Sequence, residues 1–181
     1  MAERPRRRLL AWPLLVALLT VLVDRVSKYF VVRFLAPLAP DGLDILGSFL
    51  RLVYVENTGV SFGQLQAYSG VITLFTLIVV IGLLIGYRYL LTPSRWANLA
   101  LGFILGGAVG NLIDRVHTGL RLGLSQAYVV DFIDLRYFAV FNVADSAITV
   151  GGIAYGVYLV FFHQGRSRSG EDRQLDTGET A

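Results

Sequence analysis

Four stretches of this chain are about as long as a bilayer is thick, and three of them are nearly free of charge. A backbone buried in hydrocarbon must satisfy its own N–H and C=O groups, which a single segment does only as a helix. The stretches are residues 9–35, 71–91, 96–113 and 141–162. At 1.5 Å per residue the last three cover roughly 27–33 Å, one hydrocarbon thickness. The expected fold class is an all-α membrane protein: four transmembrane helices with a small extracytoplasmic β-rich element. Composition agrees, since 55% of the 181 residues are hydrophobic and the mean hydropathy is +0.60. That is far too apolar for an ordinary soluble domain.

The same composition removes several chemistries. There is no cysteine, which excludes disulfides, thiolate metal sites and a cysteine nucleophile. The two histidines, His117 and His163, form no His-Glu-x-x-His motif, so a zinc protease site is not expected, nor any other metal or cofactor. The net charge is +3, but the basic residues are mostly arginines outside the apolar stretches. That distribution fits membrane orientation better than nucleic-acid binding.

The N-terminus has a basic Arg4-Pro-Arg-Arg-Arg8 and an apolar run from Leu9 to Val23, like a signal peptide. No small-x-small cleavage site follows. Asp24-Arg-Val-Ser-Lys28 follows instead, and the apolar run resumes at Tyr29, so the segment reads as an uncleaved helix with a polar patch. Four spans put both termini on one side. With them lie nine arginines (4, 6, 7, 8, 88, 95, 166, 168 and 173), against five on the other side (33, 51, 115, 121 and 136). The excess places both termini in the cytoplasm. Residues 1–163 read as one integral-membrane domain, and residues 164–181 as a polar, disordered cytoplasmic tail.

Two loops then lie outside. Phe49-Leu-Arg-Leu-Val-Tyr-Val55 and Tyr128-Val-Val-Asp-Phe-Ile133 have strand character, the first ending at a Glu56-Asn-Thr-Gly59 turn. They predict a small sheet on the outer membrane face. Gly102, Gly106 and Gly110, and likewise Gly82 and Gly86, recur every fourth residue and predict close helix packing.

Depth gives the polar residues meaning. Asp24 and Lys28 fall in the outer half of the first helix. Asn111, Asp114 and Arg115 fall at the outer end of the third, and Asn142 and Asp145 in the outer turns of the fourth. Spacings of three and four place each set on one helix face. An ionisable side chain in a spanning helix costs roughly 2.5–3.5 kcal/mol on insertion scales, so Asp145 is a functional candidate. Structural readings compete elsewhere. Asp24 and Lys28 can simply neutralise one another. Asp114 and Arg115 can serve as interfacial anchors. Asn57 and Gly59 can merely build a turn, and Asn142 can cap a helix.

Elimination favours carboxylate chemistry. There is no Gly-x-Ser-x-Gly elbow, and Ser27 points to a different helix face from Lys28. Two neighbouring carboxylates share one proton, so one can activate water while the other donates to a carbonyl oxygen. Asp131, Asp114 and Asp134 all remain open as the partner of Asp145.

Five ordered blocks then resemble the bacterial lipoprotein signal peptidase (signal peptidase II) family over about residues 9–163. They are Asp24-Arg-Val-Ser-Lys28, Asn57-Thr-Gly-Val-Ser-Phe-Gly63, Gly106-Gly-Ala-Val-Gly-Asn-Leu-Ile-Asp-Arg115, Val129-Val-Asp-Phe-Ile133 and Phe141-Asn-Val-Ala-Asp-Ser146. The resemblance implies an aspartic endopeptidase of the bacterial inner membrane, acting near its outer face. It implies cleavage of diacylglyceryl-modified prolipoproteins on the amino side of the lipidated cysteine, and inhibition by globomycin. By resemblance Asp131 and Asp145 are the catalytic dyad. Asn57, Asn111, Arg115 and Asn142 line the site or orient substrate, and Asp24, Lys28, Gly59, Asp114 and Ala144 support it. A monomer held in membrane lipid is expected. Two features depart from the family: a longer segment between Asp114 and Asp131, filled by Thr118–Ala127, and Ser61 where alanine is frequent. A small proton- or ion-coupled transporter is the alternative that the intramembrane charges motivate, and a non-catalytic assembly partner is the one that the glycine faces motivate.

Overall fold

The computed structural model describes residues 4–47, 49–59 and 68–163. The tail at 164–181 and the Val60–Gly63 end of the second block, with Ser61, lie outside the described residues. Helix α1 (Arg4–Phe34) is followed by strands β1 (Leu43–Leu46) and β2 (Leu50–Asn57). Helices α2 (Ser69–Leu90) and α3 (Arg95–Leu122), strand β3 (Val129–Leu135) and helix α4 (Val143–Tyr158) complete the order. A single π-helical turn, Leu159–His163, extends α4.

Three helical segments are long and apolar enough to cross a membrane: Ser69–Leu90, Arg95–Leu122 and Val143–Phe162. Helix α1 has 31 residues but carries Asp24, Arg25 and Lys28 within little more than one turn. Helix α3 is the central element and packs on both α1 and α4. Its start is fixed by Ser94, whose hydroxyl accepts from the Ala97 N–H at 3.3 Å. Asn98 grips the preceding turn through both the N–H and the C=O of Thr92, at 2.9 and 2.8 Å.

Glycine sets how close the helices come. A β-carbon at Gly106 would lie 2.6 Å from the Ala17 carbonyl oxygen of α1, and one at Gly151 of α4 would lie 2.7 Å from that of Ala100. The expected packing face is thus real on α3. It is absent on α2, where Gly82 and Gly86 meet nothing within 4 Å. Period four alone does not distinguish a crossing from a surface.

Helix α3 also runs on to Leu122 instead of ending near Ile113. Asp114, Arg115, Thr118 and Gly119 form a buried stripe on this extension, so the helix is held there by protein rather than by lipid. Asp114 and Arg115 are therefore interior residues of a helix, not anchors at its end.

The sheet has the order β1-β2-β3 and is antiparallel throughout. Both expected strands are present, and β1 adds a third that the sequence did not signal. Val130 and Phe132 of β3 pack with Val31 of α1 and with Leu35 just past its end, which seats the sheet at the C-terminal end of that helix. Alternation turns Val129 and Asp131 to the opposite face.

Candidate active site

Backbone pairing brings the candidate polar residues together. In the β2–β3 register Asn57 faces Val129 and Val55 faces Asp131, so Asn57 and Asp131 share a sheet face diagonally. The free edge of β3 pairs with Phe141: Ile133 N–H donates to Phe141 C=O at 2.8 Å, and Phe141 N–H donates back at 3.1 Å. This stitch sets the residue after Phe141, Asn142, beside Asp131.

Asn142 caps α4, and Asp145 reciprocates. The Asn142 Oδ1 accepts from Asp145 N–H at 2.9 Å, and Asp145 Oδ2 accepts from Asn142 N–H at 3.2 Å. This capping box makes Asp145 part of the helix start rather than a charge isolated inside a spanning helix. The carboxylate sits in the first turn, where the unpaired N–H groups and the helix dipole favour negative charge. The Asn142-x-x-Asp145 spacing carried that signal.

Both carboxylates receive asparagine amides. Asn142 Nδ2 donates to Asp131 Oδ1 at 2.6 Å, and Asn57 Nδ2 donates to Asp131 Oδ2 at 2.7 Å. Asn111 Nδ2 donates to Asp145 Oδ1 at 2.8 Å. In each asparagine the carbonyl oxygen is held by a separate donor. Gly59 N–H reaches Asn57 Oδ1 at 2.8 Å, which its φ of +123° permits. Asn142 Nδ2 and Lys28 Nζ reach Asn111 Oδ1 at 3.2 and 3.1 Å. Each amide is thereby oriented with its N–H bonds toward a carboxylate.

Asp24, Lys28 and Asp114 form a buried charge cluster behind this layer. Lys28 Nζ lies 2.9 Å from Asp24 Oδ2 and 2.7 Å from Asp114 Oδ2. Neutralisation of Asp24 by Lys28 is therefore part of the answer. Arg25, to which the sequence assigns no role, also pairs with Asp114. Asp24 Oδ1 accepts from Ala144 N–H at 3.2 Å, tying α1 to the start of α4. Ala144 is fully buried where α4 crosses α3, with its methyl 3.4 Å from a β-carbon built at Gly110. Thr118, also missed in the sequence, accepts from Tyr128 N–H at 2.9 Å and anchors the entry to β3.

The three candidate partners of Asp145 now differ. Asp114 is engaged by Lys28, Arg25 and the Val130 N–H at 3.3 Å. Asp134 lies 3.9 Å from Arg51 on the sheet. Asp131 shares a cavity with Asp145. The cavity holds about 240 Å³, with Asn57, Asn111 and Arg115 at its polar end and Phe75, Val79 and Ile148 in its apolar wall. Arg115 also donates to the Thr58 carbonyl at 3.4 Å. Burial pushes the Asp131 carboxyl up to about 6; the Asp145 charge adds to this, while the Asn57 and Asn142 amides and Lys28 oppose it. Among the described residues no three His, Asp or Glu side chains group as metal ligands.

Known proteins share this arrangement of chain. The family described as "Signal peptidase (SPase) II" matches residues 16–161. The lipoprotein signal peptidase of Moorella thermoacetica is 45% identical over 140 residues, covering 77% of this chain and 87% of its own. That of Mycolicibacterium smegmatis is 37% identical over 179 residues, covering 97% of this chain and 73% of its own. A solved bacterial membrane enzyme superposes with a TM-score of 0.70 at 29% identity, over 84% of this chain and 94% of that one. A match that spans most of the chain, together with relatives at this identity, leads to one assignment: the chain belongs to the signal peptidase II family, the lipoprotein signal peptidases.

Proposed function

We propose that this chain is an aspartic endopeptidase that removes signal peptides from diacylglyceryl-modified prolipoproteins, cutting on the amino side of the lipidated cysteine. Asp131 and Asp145 form its dyad. One observation carries the reading: two carboxylates from separate elements line one cavity, and Asn142 hydrogen-bonds both. The two carboxylates share one proton, and burial with the added Asp145 charge lifts Asp131 to about 6, which favours the proton there. Asp145 takes a proton from water as the water attacks the scissile carbonyl. Asp131 donates to the carbonyl oxygen and then helps protonate the leaving amine. Arg115 and Asn57 orient substrate at the polar end.

The chain crosses the bacterial inner membrane four times with both termini in the cytoplasm, as the bias of basic residues supports. Residues 1–163 form the peptidase domain and residues 164–181 its tail. The site then opens near the outer face, where a lipidated substrate is already held. The apolar wall suits an alkyl chain, each buried CH₂ of which contributes about 0.8 kcal/mol. The enzyme works as a monomer without metal or organic cofactor, and globomycin blocks it.

Purified protein should cleave a diacylglyceryl-modified prolipoprotein, fail on the unmodified one, and stop in globomycin. Asp131→Asn and Asp145→Asn should abolish cleavage while the protein stays folded. Full activity in either variant refutes the dyad.

A further inference from the structure

Lys28 is buried, and three oxygens surround its Nζ: Asp114 Oδ2 at 2.7 Å and Asp24 Oδ2 at 2.9 Å as ion pairs, and Asn111 Oδ1 at 3.1 Å as a hydrogen bond. Charge balance does not explain the third contact. Asp24 and Asp114 already face a second cation, Arg25, which approaches both. The contact to Asn111 has a different effect. It presents a donor-only group to one end of an amide whose other end touches Asp145.

An amide can sit either way round, and only its partners decide. Were Asn111 reversed, its Nδ2 would confront Lys28 Nζ and Asn142 Nδ2, and its Oδ1 would confront Asp145 Oδ1. All three contacts would be repulsive. The observed orientation is therefore fixed. The buried ammonium also polarises the amide, which strengthens its N–H as a donor.

Resting on the peptidase reading above, we propose that Lys28 is a positioning residue: it locks and polarises the Asn111 amide so that Asn111 donates to Asp145, which keeps the carboxylate aimed into the cavity. The charged groups around Asp145 are Asp131 on β3, Arg115 and Asp114 on α3, and Asp24 and Lys28 on α1; α2 offers the cavity only Phe75, Thr76, Val79 and Leu83. Of these groups, Lys28 is the cation whose contact reaches the Asp145 carboxylate through a single intervening side chain, that of Asn111.

The test is a double-mutant cycle between Lys28 and Asn111, read as kcat and KM for a lipidated prolipoprotein by the purified full chain. Loss of a charge-assisted hydrogen bond in a coupled network predicts that Lys28→Met lowers kcat by about tenfold with KM within twofold. In an Asn111→Ala background the same change should lower kcat by no more than about twofold, since the group it acts through is gone. The double variant Asp24→Asn/Lys28→Met removes the charge imbalance, and its new amide keeps an oxygen for the Ala144 N–H. It should fold better yet remain as slow as Lys28→Met. Equal losses in both Asn111 backgrounds overturn the proposal, as does recovery of kcat in the charge-balanced variant. Absence of cleavage by the wild-type protein would instead overturn the peptidase reading itself.

Discussion

Asn142 Nδ2 lies 2.6 Å from Asp131 Oδ1, and the same residue caps the helix that carries Asp145. One side chain thus fixes the start of α4 and the distance between two carboxylates. Asn142→Ala removes the cap and leaves Asp131 short of a donor. It should cost about 2 kcal/mol and abolish cleavage. Asn142→Asp keeps an N-cap oxygen but sets a third carboxylate against Asp131. It should lower the unfolding midpoint less than alanine does, yet cleave no better. Thermal unfolding in detergent beside a cleavage assay separates the two effects.

Asp131 makes stability depend on pH in a stated direction. Burial lifts its carboxyl from 3.8 to about 6, so the folded chain holds that proton more tightly than the unfolded one. The resulting stabilisation is complete below pH 3.8 and is lost as pH rises through about 6. The unfolding midpoint of the wild type, relative to Asp131→Asn, should therefore be greatest near pH 4 and fall toward pH 7. A difference that is flat over this range, or rises, contradicts the assignment. Asp134→Asn should leave both the pH dependence and cleavage (within about twofold) unchanged, since that residue makes a loose, partly exposed ion pair with Arg51 at 3.9 Å.

Gly59 should resist substitution for a conformational reason. Its φ is +123°, and a β-carbon there would lie 2.5 Å from Ile72 Cδ1. Gly59→Ala should cost about 1–3 kcal/mol. It should also slow cleavage, because the Gly59 N–H holds the Asn57 amide toward Asp131. Restored activity at low temperature would locate the defect in stability; a lasting loss of kcat would locate it in the aim of Asn57.

The glycines of α2 and α3 should behave oppositely. Gly106→Val drives side-chain atoms into the Ala17 backbone and should destabilise by several kcal/mol, about 3 or more. Gly86→Ala meets open space, gains helix propensity, and should be neutral or stabilising by up to about 1 kcal/mol. Unfolding of the two variants in the same detergent compares them directly.

The contrast shows what sequence can carry here. Helix α2 is readable to within two residues at each end because length and apolarity alone define it. Strands β2 and β3 are readable from their β-branched and aromatic runs. Strand β1 is four residues long, too short for alternation to register. Hydropathy misplaces the end of α3 because it reports lipid contact, and beyond Ile113 the helix is held by one buried stripe (Asp114, Arg115, Thr118 and Gly119) packed on protein. Asp145 stands out in sequence for an incomplete reason: its burial cost is visible, whereas its reciprocal cap with Asn142 needs the helix boundary. Spacing cannot tell Asp131 from Asp114, because the distinction depends on partners as distant in sequence as Asn57 and Lys28.

The bond from Asp24 Oδ1 to the Ala144 N–H joins the first helix to the last across 120 residues. Between them, the polar network draws on α1, β2, α3, β3 and α4. During synthesis, then, no shorter nascent chain contains the whole constellation. The network closes only once the first turn of α4 has been made and has folded against α1, α3 and β3, so the proposed dyad is absent from every shorter nascent chain.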